Sequence, residues 1–167
     1  MLVHDTARPG HKTCRTGFVG PAGWDDAAKA QGEETRVCEG FGVVVAAGTL
    51  RSSDRDAVRF PHQWTSEGVT VEADFTGAHL LHLAAAGCVL NDIYREAAAL
   101  GVELDGVRVH AVGAFDTDTW ASTGITYSVQ LRSTARPEQL GHLLDVVDEV
   151  AEIPRAIRAG APVCRVN

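Results

Sequence analysis

Short runs rich in β-branched residues, separated by polar turn residues, recur along the chain from Gly40 onward. Runs of this kind, in which apolar and polar side chains alternate, are typical of strands with one buried face. Three precede the first helical pattern and two follow it, and the last two are joined by the polar segment DTDTWAST. The predicted strands lie in GFGVVVAAGTL, DAVRFPHQW, GVTVEADF, GVRVHAVGAF and GITYSVQLRS.

Two other segments have the pattern of helices. Residues 79–100 are rich in Ala, Leu and Glu, which favour a helix. Gly101 comes directly after them, at the position where helices commonly end with glycine. Pro137 suits the first turn of a second, amphipathic helix. Pro154 breaks or restarts that helix, and Gly160 closes a further turn before a predicted last strand, APVCRV. The apolar positions of the second helix recur at helical spacing: Leu140, Leu143, Leu144, Val147 and Val150.

The order of the predicted elements indicates the fold class. It is three strands, a helix, two strands, a helix and a strand, without a repeated βαβ unit, which favours an α+β fold with helices packed on an antiparallel sheet. Residues 1–39 are rich in Gly, Pro, Asp and Thr and show no sustained period. We therefore expect an irregular N-terminal arm over 1–39 and one domain over 40–167.

Composition and charge exclude several classes of protein. A chain of 167 residues that is 45% hydrophobic fits one compact domain. Its 15 basic and 22 acidic residues give a net charge of −7, whereas binding of nucleic acid requires neutralisation of phosphates. No apolar run approaches the roughly 20 residues of a membrane span, and the first residues lack the apolar region of a signal peptide. We expect a cytoplasmic protein that binds neither nucleic acid nor membranes.

The thiols are the candidate chemistry of the chain. Without a CxxC pair, their spacing predicts neither a zinc ribbon nor a thioredoxin motif. A reducing compartment makes free thiols the default. Cys88 differs from the others because it lies within the first predicted helix. The four positions are Cys14, Cys38, Cys88 and Cys164.

The helical period groups Cys88 with three polar residues. Advancing 100° per residue places Asn91, Asp92 and Arg95 on the same face as the thiol. One interpretation is a polar pocket in which Cys88 is poised and Asp92 pairs with Arg95. The other is a small buried cysteine beside an ordinary solvated helix face, and the spacing alone favours this second interpretation.

His79 and His82 lie three residues apart near the start of the same helix. Both can point to one side, but Cys88 lies well off that line, so a metal site built from the three is strained and no metal ion is expected. The simpler interpretation is that one histidine satisfies backbone groups at the helix start and the other lies on the surface. In a further interpretation, a charged His79 supports the Cys88 thiolate.

Three segments together resemble the OsmC/Ohr family of cysteine-based peroxidases. In that family a cysteine on the first central helix reduces organic hydroperoxides at the interface of an intertwined homodimer, and Cys88 matches that cysteine. The resemblance implies an OsmC-like α+β fold with two central helices and no cofactor. The segments are LLHLAAAGCVLNDIYREAAALGVELDGVRVHAVGAFD, GITYSVQLRS and LLDVVDEVAEIPRAIRAGAPV.

The chain departs from the family pattern at two places. The second, resolving cysteine of the family aligns with Ile153, which precedes Pro154 and has no redox chemistry. A glutamate expected ten residues before the reactive cysteine aligns with Ala78. The family's supporting arginine lies in the N-terminal β-region, where the sequence selects none of three candidates. They are Arg51, Arg55 and Arg59.

Two hypotheses of different class follow from this comparison. In the first, Cys88 is the nucleophile of a thiol peroxidase for organic hydroperoxides. It is regenerated by an external thiol or by one of the other cysteines, Cys14, Cys38 or Cys164. The Cys88 thiol is expected to be partly ionised at neutral pH, because only the thiolate attacks the peroxide. In the second, the chain is a homodimeric small-molecule-binding or accessory protein with an OsmC-like pocket. The candidate pocket residues in either case are His79, His82, Asn91, Asp92 and Arg95.

Overall fold

A computed structural model describes residues 40–160. The predicted arm over 1–39, the predicted last strand and the other three cysteines lie outside the described residues. Among residues 40–160, no helix is long and apolar enough to span a bilayer.

Five antiparallel strands form one sheet in the order β2-β3-β1-β4-β5. Val45 of the central strand lies opposite Val71 on one side and Val109 on the other, so valines from three strands build one apolar surface. The second strand is much shorter than predicted and ends just before Pro61, which has no N–H to donate to a neighbouring strand. The strands are β1 (Val43–Gly48), β2 (Val58–Phe60), β3 (Val69–Glu72), β4 (Gly106–Phe115) and β5 (Ser122–Arg132).

The first helix, α1, runs from Gly77 to Leu100 and begins two residues before the predicted start. Thr76 caps it by accepting a hydrogen bond from the backbone N–H of His79. Gly101 ends it in the left-handed conformation with φ 66°, which a residue without Cβ adopts at little cost. Both ends of α1 are therefore set by local sequence.

The apolar side of α1 lies across β1 and β4, and the second helix, α2 (Pro137–Val150), packs on α1. Val89 and Ile93 of α1 are fully buried, as are Leu143 and Val147 of α2. Burial of each such side chain contributes on the order of 1.5–3 kcal/mol. The result is the predicted α+β architecture, in which helices pack on an antiparallel sheet.

A close contact fixes α1 against β4. His82 is fully buried and donates from Nδ1 to the carbonyl of Phe41 at 2.6 Å. Its Nε2 faces Gly113, where an added Cβ would lie 2.9 Å from that nitrogen and 2.3 Å from the carbonyl oxygen of Gly124. Only glycine leaves room for this approach of helix and strand.

The second helix ends at Ala151, whose ψ of 109° is extended rather than helical, and this residue separates it from the third helix. The third helix, α3 (Glu152–Ala159), starts immediately afterwards, with Pro154 in its first turn. The expected interruption therefore occurs three residues before the proline, and Pro154 belongs to the restarted helix. This break turns Glu152 and Ile153 towards α1.

Candidate functional site

A cavity of about 690 Å³ lies between one face of α1, the loop after β2 and the first turn of α3. Cys88 lines it near the middle of α1, and Trp64 and Ile153 form part of the opposite walls. The polar positions predicted from the helical period, Asn91, Asp92 and Arg95, line the same cavity. From α1 the lining residues are Leu83, Ala84, Gly87, Cys88, Asn91, Asp92 and Arg95.

Two carboxylates and one backbone amide surround the sulfur of Cys88. The sulfur lies 3.4 Å from Asp92 Oδ2 and 3.6 Å from Glu152 Oε2, so either carboxylate can accept the single hydrogen of the thiol. The backbone N–H of Ile153, in the first turn of α3, donates to the sulfur. The carboxylates favour the protonated thiol, whereas the amide favours the thiolate.

The balance of these contacts favours the protonated form. Burial, and then the charges of Asp92 and Glu152, raise the pKa of Cys88 to about 11, and the Ile153 amide only partly opposes them. This environment differs from the expected one, in which the thiol is partly ionised at neutral pH. The difference arises mainly because burial disfavours the thiolate, and the charges of Asp92 and then of Glu152 add to this effect.

Arg95 holds the acidic groups of the site together. Its guanidinium lies 2.7 Å from Asp92, 2.8 Å from Glu96 and 3.5 Å from Glu152. Asp92 is almost fully buried, and burial raises its pKa while the thiol of Cys88 and the charge of Arg95 oppose the increase. Asp92 and Arg95 thus form the pair that their spacing of three residues predicts.

Three ligand atoms of the kinds that bind metal ions lie close together in this cavity. The sulfur of Cys88 and one carboxylate oxygen each of Asp92 and Glu152 are all within 4.8 Å of one another. Arg95 already contacts both carboxylates and supplies positive charge at this point. The guanidinium of Arg95 therefore balances the acidic groups of this arrangement. Cys88, Asp92 and Glu152 are the residues that would hold a metal ion if Arg95 moved away.

The loop after β2 forms an aromatic wall over the thiol. His62 contacts Thr65 Oγ1 through Nδ1 at 2.7 Å and Asn91 Oδ1 through Nε2 at 3.2 Å. Burial lowers the pKa of His62, although the hydrogen bond with Asn91 opposes the shift, so the ring is neutral at pH 7. The ring also lies 5.5 Å from that of Trp64. Asn91 thereby connects the helix face to the loop.

His79 and His82 lie elsewhere, since neither lines the cavity around Cys88. His79 contacts the capping hydroxyl of Thr76 at 2.8 Å and packs edge-on against Phe41. It precedes Cys88 by nine residues, which corresponds to roughly 13 Å along a helix axis. The structure therefore places both histidines near the first turns of α1, where they tie the helix to the segment before β1.

Among residues 40–160, Arg95 is the arginine that lines the cavity, and none of the three candidates in the N-terminal β-region lines it. Arg51, for example, donates to the backbone carbonyls of Gly48 and Glu67. Sequence reasoning missed Glu152 and the loop residues His62 and Trp64. One signal was available for Glu152, because it adjoins the position that aligns with the family's resolving cysteine.

Known proteins were compared with this chain by sequence and by structure. The family model described as OsmC-like protein matches residues 70–164, which is more than half of the chain. Comparison with curated proteins gives no match. An OsmC-like protein from Mycoplasma pneumoniae is 11% identical with a TM-score of 0.47, over 66% of this chain and 92% of that one. An OsmC-like hydroperoxide resistance protein from Jannaschia sp. is 14% identical with a TM-score of 0.41, over 75% and 92%. On the strength of the family match, the chain belongs to the OsmC-like family.

Proposed function

We propose that the protein reduces organic hydroperoxides with Cys88 as the nucleophile and with an external thiol as the reductant. The observation that supports this most directly is the position of the Cys88 sulfur. It lines a cavity of the size of a small-molecule site and lies within hydrogen-bond distance of two carboxylates that can accept its proton. Membership of the OsmC-like family, and the hydroperoxide resistance named for the Jannaschia protein, agree with this chemistry.

The carboxylates give the reaction a defined route for the proton. The sulfur attacks the terminal oxygen of the hydroperoxide as its proton passes to Asp92 or Glu152. The O–O bond breaks, the sulfur keeps the hydroxyl group as a sulfenic acid, and the departing alkoxide takes up the transferred proton. The thiol is oxidised and the hydroperoxide is reduced to an alcohol.

Regeneration requires a second thiol. Ile153 lies beside the sulfur where the family's resolving cysteine aligns, and Cys88 is the sole cysteine of residues 40–160. In this proposal an external thiol condenses with the sulfenic acid to form a mixed disulfide and releases water. A second molecule of that thiol then restores Cys88 and leaves as a disulfide. This cycle needs a reducing compartment such as the cytoplasm.

The active form in this proposal is a homodimer, as in the resembling family. Several large apolar side chains of the described residues are exposed in a single chain, and contacts between copies would cover such surface. Light scattering at micromolar concentration should give twice the mass of the chain, and a monomer would contradict this part of the proposal. The exposed side chains include Val58, Phe60, Phe75, Leu80 and Trp120.

A second candidate function has its own support. A thiol with a pKa of about 11 is almost fully protonated at pH 7, and Ile153 cannot resolve a sulfenic acid. Both features suit a protein that retains the cavity for binding a small molecule without turning over peroxide. In this alternative Cys88 is a packing residue of the binding cavity.

The decisive experiment is trapping of the oxidised sulfur. The full-length protein is pulsed with cumene hydroperoxide in the presence of dimedone, and each cysteine-containing peptide is then analysed by mass spectrometry. We expect one dimedone adduct on the peptide that contains Cys88, and formation of cumyl alcohol that continues when dithiothreitol is added. The adduct should be absent from C88S.

The matched control is C164S, which removes a different thiol and should retain both the adduct and the turnover. Turnover that persists in C88S would place the chemistry on another cysteine and contradict the proposal. A wild-type protein that gains no oxygen at Cys88 and produces no alcohol would leave the small-molecule-binding function as the better explanation.

A further inference from the structure

The charge of the cavity bears on which ligands can enter it, in addition to the part that its carboxylates take in the proposed proton transfer. Three carboxylates, those of Asp92, Glu96 and Glu152, share the single guanidinium of Arg95. No other cation lies within ion-pair distance of these carboxylates in the part of the chain that the structure describes. Of these carboxylates, Asp92 and Glu152 line the cavity beside Arg95, so the charged side chains of its lining carry one more negative than positive charge.

Glu152 brings this excess charge to the open side of the cavity. Its side chain is 67% exposed, and a hydrogen bond with its own backbone amide, followed by the charge of Arg95, lowers its pKa. It is therefore ionised at neutral pH, within reach of both the Cys88 sulfur and solvent. A ligand that enters the cavity encounters a carboxylate beside the thiol.

The opposite wall is apolar and aromatic. Trp64 is 36% exposed, and His62 beside it is neutral because burial lowers the pKa of its ring. Leu83 and Ile153 extend the apolar lining towards Cys88. An indole face and a carboxylate that line one cavity are the two groups that attract an organic cation, since the indole contributes a cation–π contact and the carboxylate an ion pair.

We propose that the cavity selects ligands with an apolar body and a cationic amino group, and that it disfavours ligands with a carboxylate. The inference rests on the proposed function in that it places the substrate in this cavity. An ammonium group offsets the excess negative charge, whereas a carboxylate adds a like charge next to Glu152 and Asp92. The hydroperoxides that react best at Cys88 are then those with an amino group.

The test uses three ligands of nearly equal size that differ in charge: phenethylamine, 2-phenylethanol and phenylacetate. Each is titrated into full-length protein at pH 7, and binding is followed by NMR through the indole N–H signal of Trp64, assigned with W64F. We expect phenethylamine to bind about tenfold more tightly than 2-phenylethanol, and phenylacetate to bind most weakly. The advantage of the amine should shrink at 0.5 M salt, as screening requires.

Substitution of the exposed carboxylate tests the origin of the preference. E152Q should reduce the advantage of the amine by about threefold, while E138Q, which removes one exposed negative charge on α2, should leave it unchanged. Equal affinities for the three ligands, tighter binding of phenylacetate, or equal effects of E152Q and E138Q would overturn the inference.

C88S separates this inference from the proposed function. It should keep the preference for the amine, because the charges and the aromatic wall are intact, while it loses oxidation by peroxide. A preference that persists when the wild-type thiol does not react with peroxide would retain the inference and reject the peroxidase. Peroxide reduction at Cys88 without any preference for the amine would do the reverse.

Discussion

The ionisation of Cys88 offers a quantitative test of the site. A pKa of about 11, compared with an ordinary value of 9.0, lowers the thiolate population at pH 7 by about 100-fold. A more basic thiolate is also a better nucleophile, and a Brønsted slope of about 0.4–0.5 recovers roughly tenfold over two pKa units. We therefore expect Cys88 to react with iodoacetamide about tenfold more slowly than an unperturbed thiol at pH 7.

The assay measures labelling of each cysteine-containing peptide by mass spectrometry between pH 7 and pH 11.5. The rate at Cys88 should rise about tenfold per pH unit through pH 10, where an ordinary thiol has already reached its plateau. E152Q removes one of the two carboxylates at the sulfur and should speed labelling at pH 7 by less than about threefold, since burial and Asp92 raise the pKa more than Glu152 does, whereas E138Q should have no effect. A plateau below pH 9, or no difference between the two variants, would refute the role assigned to burial and the carboxylates.

Three further predictions concern packing and redox chemistry. Ile153→Cys should form a disulfide with Cys88 after a peroxide pulse, because the backbone amide of residue 153 lies within hydrogen-bond distance of the Cys88 sulfur. The intact mass should then fall by two hydrogens, and persistence of the sulfenic acid would contradict the prediction. Tyr94→Phe should lower the free energy of unfolding by less than about 1 kcal/mol, or raise it, because the buried hydroxyl has no hydrogen-bond partner among residues 40–160. A larger loss in urea denaturation would indicate such a partner. Gly113→Ala should lower the free energy of unfolding by about 2 kcal/mol or more, because the added Cβ would meet the backbone of Gly124 and the ring of His82. Gly141→Ala is the control, since the space around Gly141 is open, and it should be neutral or stabilising by up to about 1 kcal/mol. Equal effects of the two substitutions would contradict the close contact at Gly113.

Local signals explain how much of the fold was predictable. Alternation of apolar residues and the caps at Thr76 and Gly101 act over a few residues, so five strands and the main helices follow from the pattern. The pairing of Asp92 with Arg95 is equally local, since it depends only on helical spacing. The length of β2 was overestimated because Pro61 ends it where apolar character continues.

The rest of the site depends on tertiary contacts. Glu152 reaches Cys88 across 64 positions of the sequence, and His62 reaches Asn91 across 29. No periodicity within α1 encodes either approach. The same limit applies to His82. The sequence predicts its place on the helix, but it does not predict that its ring contacts the backbone carbonyl of Phe41.

The extended residue between α2 and α3 also has a consequence for how this site tolerates changes in chain length. A single position, Ala151, separates the last turn of α2 from the residues that contact the sulfur. One inserted residue at this junction would change both the direction in which α3 leaves α2 and its rotation about its own axis. Glu152 and Ile153 would then be displaced from Cys88 without any change of side chain in the cavity. The number of residues in the junction, more than their identity, sets the helical phase on which the chemistry of the thiol depends.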